Sequence, residues 1–355
     1  MITRLNLKNF RCFRDFQLDN IMPVTLISGK NNVGKSTLLE GVYLLFNRLD
    51  STVFFKLSAF RENLVTTHPQ IFLEPLFNGL DMSKELSVSV LCDGIEQILR
   101  IRKDEKSSTS TFINKQNDMK IPSNPIGNIA NIHPLKMFYS RGDYQESGRY
   151  EFNFPNITLH LESEREPAAT YVHYIGPNVH ENSNSISEWF GKLDLTGEKS
   201  RLVETLRLMD SRITDLFTIV SGGGGHIYAN MSSGLKIPLR AMGEGMNKLL
   251  LIALVMLIHP GCVVLIDEVE NGFHHSFHEK FWELVFRLSL ETKCRIFATT
   301  HSYECISGAI DASSEKSNDD DFLYVRLGFQ GEDIVPYTYS KELLAHALRS
   351  EMEVR

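Results

Sequence analysis

The chain of 355 residues has only five cysteines, Cys12, Cys92, Cys262, Cys294 and Cys305, and no Cys-x-x-Cys pair. That excludes a disulfide-framed fold and a zinc ribbon, and reads as reduced thiols in a cytosolic protein. Net positive charge is lacking as well. The formal charge of −7 argues against a surface coated for non-specific nucleic-acid binding and leaves room only for a local basic groove. The longest apolar run, Leu249 to Ile258, is too short to span a bilayer and reads as a buried helix. The opening Met1-Ile2-Thr3-Arg4-Leu5-Asn6 lacks a signal-peptide apolar region. There is no internal repeat, and residues 60–200 carry no sustained heptads. What is present is a hydrophobic content of 42%, enough for one large domain or two lobes with a sizeable core.

Against that background one stretch stands out: Gly29-Lys30-Asn31-Asn32-Val33-Gly34-Lys35-Ser36-Thr37 fits G-x-x-x-x-G-K-[ST] at every fixed position. Val24-Thr25-Leu26-Ile27 before it reads as a buried parallel strand. Leu38, Leu39, Val42, Tyr43, Leu45, Phe46 and Leu49 after it form a helical apolar stripe. Strand, glycine loop and helix make a phosphate cradle, because backbone N–H groups and the helix N-terminus both favour an anion. Lys35 is expected to reach the β- and γ-phosphates of ATP, and the Ser36 hydroxyl to ligate Mg²⁺.

The rest of the chain is read around this loop. Residues 2–28 and the run Leu86 to Arg102, turned at Asp93-Gly94, are expected as β structure. Residues 103–128 are polar and read as a surface loop or lid. Tyr171–Ile175 is a strand candidate. Arg201 to Val220 spaces Leu202, Leu206, Met209, Ile213 and Leu216 as an amphipathic helix. Ser221 to Gly225 reads as a flexible loop, and Ile227 to Leu239 as a hairpin. Cys262 to Ile266 is a second buried strand, ending in Asp267-Glu268; Arg295 to Thr299 is a third, ending in Thr300-His301-Ser302. A helix, Phe281 to Leu290, lies between them. An acidic loop (311–321), a strand from Phe322 and a closing helix, Lys341 to Met352, complete the chain. Asp267, at the carboxyl end of a strand, is placed to order Mg²⁺, and Glu268 to polarise water as general base.

These motifs, with Lys8-Asn9-Phe10-Arg11-Cys12-Phe13, Met242-Gly243-Glu244-Gly245-Met246-Asn247-Lys248-Leu249 and Glu270-Asn271-Gly272-Phe273-His274, follow one another in a known order. In that order the chain resembles the ABC-type ATPases, in the branch of SMC-like heads and OLD-family proteins that includes stand-alone AAA_15- and AAA_21-type ATPases. The resemblance brackets residues 1–310. It implies an α/β P-loop NTPase fold: a mostly parallel sheet, an antiparallel β lobe and a helical or mixed insertion. On that pattern residues 1–355 form a single head, with a β lobe and phosphate loop (1–102), an inserted lobe and lid (103–240), and a segment (241–355) with the signature helix, the two acid- and histidine-bearing strands and the C-terminal closure.

The resemblance also implies roles. Gly243, Glu244 and Gly245 stand where the family signature caps the γ-phosphate bound to a second copy, which implies a head-to-tail homodimer or higher oligomer with two ATP molecules at its seam. The usual signature serine is missing. His301 matches the switch histidine, and Glu270-Asn271-Gly272 the loop that communicates across the dimer. No glutamine fits the usual second Mg²⁺ contact; Gln70 and Gln145 match by position only and read as exposed loop residues. His274 and His278 are one helical turn apart, but without a third ligand they read as structural. Only 53 residues follow Ser302, too few for the Toprim nuclease domain of OLD proteins. The expectation is therefore an ATP-driven, Mg²⁺-dependent cytoplasmic switch without a membrane segment, as in prokaryotic anti-phage systems, controlling a separate nuclease or toxin effector. Two alternatives stand beside it: a DNA-repair or DNA-organising ATPase, for which Lys8, Arg11 and Arg14 are compatible with duplex contact, and a non-hydrolysing ATP-bound scaffold.

Overall fold

The structure is a computed structural model that describes residues 2–60, 73–104, 133–153, 156–162, 170–177, 183–221, 224–316, 321–350 and 352–355. Its centre is a six-stranded sheet in the order β16-β15-β3-β14-β13-β9. The strands are β3 (Val24–Gly29), β9 (Val172–Ile175), β13 (Val263–Ile266), β14 (Arg295–Thr299), β15 (Phe322–Gln330) and β16 (Asp333–Tyr339). All neighbours are parallel except the edge pair β15–β16.

This sheet is buried on both faces, which is why its strands are continuous apolar runs rather than alternating ones. Successive side chains point to opposite faces, so the strands feed two separate cores. Ile27, Val263, Leu265 and Phe297 face the first core, with α1 (Lys35–Phe46) and a second sheet above it. Leu26, Val264, Ile266 and Ile296 face the other, closed by α5 (Glu244–Ile258), α6 (His278–Thr292) and α7 (Tyr303–Lys316). The ten-residue apolar run of the sequence is the buried body of α5.

The second sheet is antiparallel, in the order β2-β1-β4-β5-β6-β7-β8. It holds β1 (Ile2–Phe10), β2 (Phe13–Asp19), β4 (Leu86–Cys92), β5 (Ile95–Lys103), β6 (Leu135–Arg141), β7 (Tyr144–Asn153) and β8 (Asn156–Leu161). The β lobe therefore continues past residue 102, through strands the sequence reading left unassigned. Leu135, Met137 and Tyr139 carry the buried face of β6, and Tyr150 that of β7. Helix α2 (Val53–Ala59) packs Phe54 and Leu57 under this sheet. The lid expected at 103–128 lies outside the described residues from 105 onward.

A third, three-stranded sheet, β10 (Ile213–Ser221), β11 (Gly224–Met231) and β12 (Lys236–Pro238), lies over α5 with α3 (Ser183–Leu195) and α4 (Lys199–Arg207). Here the expected helix over 201–220 is corrected. The helix ends at Arg207, and β10 begins at Ile213. A register shift between Ile213 and Asp215 lets Ile213 and Leu216 both face the core, so a bulged strand mimics helical spacing. Gly224 and Gly225, read as loop, begin β11. The first part of the expected acidic loop is helix instead, because α7 runs to Lys316 and buries Ile310 and Ala312; residues 317–320 lie outside the described residues. The chain ends in α8 (Lys341–Arg349).

Candidate functional site

The carboxyl ends of β3, β13 and β14 converge on one cleft of about 860 Å³. Asn31, Asn32, Gly34, Lys35, Ser36 and Thr37 line one side of it. Asp267, Glu268, Thr299 and His301 line another. This is where ligands gather in open α/β sheets. The loop turns into α1 through Gly34, which has φ 88°. A Cβ there would lie 2.7 Å from the Cys12 sulfur, so the position excludes any side chain on both conformation and space. Val33 is buried in the first core and anchors the loop from beneath.

Lys35 is buried, and its Nζ donates to the carbonyl oxygens of Gly29 (2.8 Å) and Lys30 (2.9 Å). Burial lowers its pKa to about 8 against the pull of Asp267, Glu268 and Glu270. The ammonium is thus held over the loop with three carboxylates nearby, ready for a polyanion that would restore its full charge.

Asp267 gathers three hydroxyls. Ser36 Oγ (3.0 Å) and Thr299 Oγ1 (2.5 Å) donate to Oδ1, and the Tyr174 hydroxyl (2.9 Å) donates to Oδ2. Thr299 Oγ1 also accepts the Glu268 backbone N–H (2.9 Å). These bonds tie the ends of three adjacent parallel strands and α1 to one carboxylate. Ser36 and Asp267 form an oxygen-only donor pair, the chemistry of a hard cation such as Mg²⁺ that keeps water and phosphate in its remaining positions. Among the described residues there is no cluster of three or more His, Cys, Asp or Glu side chains able to hold a metal by themselves.

Glu268 has left-handed backbone, φ 48°, a conformation disfavoured for a side chain with Cβ and typical of functional turns. Two neighbours hold it there. Asn271 Nδ2 donates to its Oε2 (2.6 Å), and Lys248 Nζ donates to its carbonyl oxygen (2.6 Å). Lys248 lies on α5, is buried, and has a pKa lowered to about 8 by desolvation. The His301 backbone N–H donates to Glu270 Oε1 (2.7 Å), joining the turns after β13 and β14. Burial and the Lys35 charge lower the His301 pKa, favouring a neutral imidazole in the cleft.

Other residues singled out in the sequence lie away from this cleft, among them the signature glycines, which were expected to act on the nucleotide of a second copy. Gly243 and Glu244 are exposed at the start of α5 and line no part of the cleft in this chain. Gly245 is buried against Gly272. Gln145 is exposed on β7 in the outer sheet, and Gln70 lies outside the described residues. The imidazole of His274 bonds Ser276, while His278 is buried in α6. The sequence reading missed Tyr174, Phe60 and Lys248. Phe60 and Tyr174 stack with ring centroids 3.9 Å apart and both line the cleft. Their only sequence signal was an aromatic within an apolar segment; that of Lys248 was a lone cation on an apolar helix.

Residues 24–307 match the family AAA_21, described as "AAA domain, putative AbiEii toxin, Type IV TA system". A protein of Helicobacter pylori (strain ATCC 700392 / 26695) named ATP/GTP phosphatase is 23% identical over 99% of both chains. Two solved structures share the fold. One is an SMC head bound to the C-terminal winged-helix domain of ScpA, with TM-score 0.50, 13% identity, and coverage of 96% of this chain and 97% of that one. The other is an SMC head with an extended coiled coil, bound to the C-terminal domain of ScpA, derived from Pyrococcus furiosus. Its TM-score is 0.51 at 11% identity, with 99% of each chain covered.

Proposed function

The chain belongs to the AAA_21 family, and from that premise we propose that it is an ATP-hydrolysing switch in which two copies pair head to tail and close over ATP. The observation that carries this reading is the convergence of Lys35, Ser36, Asp267, Glu268 and His301 on one cleft at the strand ends. The loop N–H groups and Lys35 hold the phosphates, and Glu268 takes the proton of the attacking water. His301 offers a neutral imidazole to the γ-phosphate or that water. Ser36 and Asp267 would hold Mg²⁺, whose charge, when bound, offsets that of the phosphates. Asn271 and Lys248 keep Glu268 in position.

The exposed N-terminus of α5, at Gly243 and Glu244, supports pairing. It presents the first turn of the helix, and with it the positive end of the helix dipole, to a phosphate held by another copy. The SMC heads that share the fold are bound to ScpA, and the family description names toxin–antitoxin systems. Both favour a partner here: a separate nuclease or toxin effector in a cytoplasmic anti-phage system. No helix among the described residues is long and apolar enough to cross a membrane. The duplex-binding alternative draws little from the N-terminal cations. Lys8 pairs with Asp15 (3.7 Å), Arg11 with buried Glu40 (2.6 Å) and Arg14 with Asp333 (2.6 Å).

The test is steady-state phosphate release by the wild type and Lys35→Ala, with mass by light scattering with and without ATP. Release above that of Lys35→Ala, with ATP-dependent doubling of mass, supports the reading. Release no greater than that of Lys35→Ala would favour the non-hydrolysing scaffold.

A further inference from the structure

On the far side of the central sheet from the nucleotide cleft, at the amino ends of β3 and β14, lies a groove of about 1000 Å³. One wall is α6. Lys280, Glu283, Leu284, Arg287 and Leu290 recur along it at three- and four-residue spacing, so they share one face of the helix. Lys280, Glu283, Arg287 and Leu290 lie outside the core, whereas Leu284 between them is buried in it with Phe281, Trp282, Val285 and Leu288 and closes the groove from beneath. The opposite wall is the turn after α4, with Leu208 and Met209.

The charge of this groove runs against that of the protein. Among the described residues four cations line it from α6 and the flanking turns, Arg207, Lys280, Arg287 and Lys293, against two acids, Glu283 and Asp321, in a chain of net charge −7. None of the four makes a salt bridge among the described residues, where Arg201, Arg212 and Lys199 nearby on the same lobe all do. Between the cations the floor and rim are apolar, and Leu290 is 70% exposed and Leu208 42%.

We propose that this groove docks an acidic amphipathic helix from a partner protein. The shape and chemistry favour that occupant. A nucleic acid would use the cations but leave the apolar floor uncovered. A helix with a leucine-type stripe flanked by Glu or Asp fills the floor and pairs with the rim at once, which is the helix-in-groove mode of recognition with charge complementarity added. The proposal does not depend on the nucleotide reading, because none of the residues that line the groove lines the nucleotide cleft.

The probes are two synthetic helical peptides with the same leucine stripe, one flanked by Glu and the other by Lys, titrated into the full chain by fluorescence anisotropy. The Glu peptide should bind saturably and the Lys peptide should not. Lys280→Glu combined with Arg287→Glu should weaken binding by about tenfold or more, as expected for the loss of two partly desolvated charge pairs. Leu290→Ser, which removes the apolar contact without changing charge, should also weaken it, whereas simple ion exchange would show no dependence on that substitution. ATP turnover of these variants should match wild type, which separates failure here from failure of the nucleotide site. Absence of saturable Glu-peptide binding, or equal binding to the charge-reversed variant, would overturn the proposal. So would displacement of the peptide by a single-stranded oligonucleotide at lower concentration than by unlabelled Glu peptide.

Discussion

Gly245 and Gly272 meet backbone against backbone: a Cβ on Gly245 would lie 2.2 Å from the Gly272 carbonyl oxygen, and one on Gly272 2.9 Å from the Gly245 nitrogen. The start of α5 and the turn after the acidic pair are thereby locked at a spacing only two glycines allow. Gly245→Ala should lower stability by about 1–3 kcal/mol, the usual cost of overpacking against rigid backbone. Urea denaturation measures it. Wild-type stability in that variant would mean the two segments separate freely.

This contact also decides how pairing should be probed. A bulky residue at 245 disturbs its own chain first, so loss of pairing there would say nothing about the exposed surface. Glu244 is exposed and has ordinary helical backbone. In a Glu268→Gln background, which should bind ATP, release phosphate slowly and accumulate dimers, adding Glu244→Trp should leave ATP affinity intact and abolish the dimer in size-exclusion chromatography. Dimers that persist would remove the start of α5 from the pairing surface.

Lys248 links α5 to the turn of Glu268 through the Glu268 carbonyl oxygen at 2.6 Å and that of Asn271 at 3.5 Å. Lys248→Met should lower kcat about tenfold or more with little change in KM, the pattern of a positioning residue whose loss acts on the chemical step. Burial holds the folded pKa at about 8, below the ordinary lysine value, so the cost of keeping this ammonium charged in the fold is full below pH 8 and fades as pH rises from 8 towards 10.5. At pH 7 the Met variant should therefore match or exceed wild type in thermal stability while being slower. In wild type kcat should decline as pH rises through about 8, and the Met variant should lose that inflection. A Met variant that is both unstable and slow would mark Lys248 as structural only.

His173 and His259 stack and share a hydrogen bond of 3.0 Å beside Trp189. Burial, then His259, lowers the His173 pKa to about 4. The fold thus favours the neutral ring, so this stability is complete above the unfolded value near 6.5 and is lost as pH falls towards 4. Between pH 7 and pH 5 the loss should be roughly 2 kcal/mol, at 1.36 kcal/mol per pH unit. Urea denaturation at the two pH values checks it. His173→Phe should flatten the dependence, and an unchanged slope in that variant would place the acid sensitivity elsewhere.

The phosphate loop, β13 and β14 were legible because parallel strands buried on both faces leave unbroken apolar runs, and because the loop chemistry is fixed by residue type. Strands β6 to β8 were not. Their inward positions include Glu146, whose charge is buried against Arg48 and breaks the alternation a reader looks for. The bulge at Ile213 hid β10 behind helical spacing. At the site, Asp267, Glu268 and His301 announced themselves as polar residues at strand ends. Lys248 and Tyr174 did not, since what they do depends on a distant backbone carbonyl and a distant carboxylate that nothing in local sequence reveals.

Because β3, β13 and β14 send alternate side chains into two separate cores, the central sheet works as a partition between two hydrophobic compartments. Trimming Ile27 or Leu265 loosens the compartment that seats α1 and the phosphate loop. Trimming Leu26 or Ile266, one residue away, loosens the one that seats α5 and its exposed tip. The two halves of the nucleotide machinery can thus be softened one at a time by neighbouring residues of the same strand.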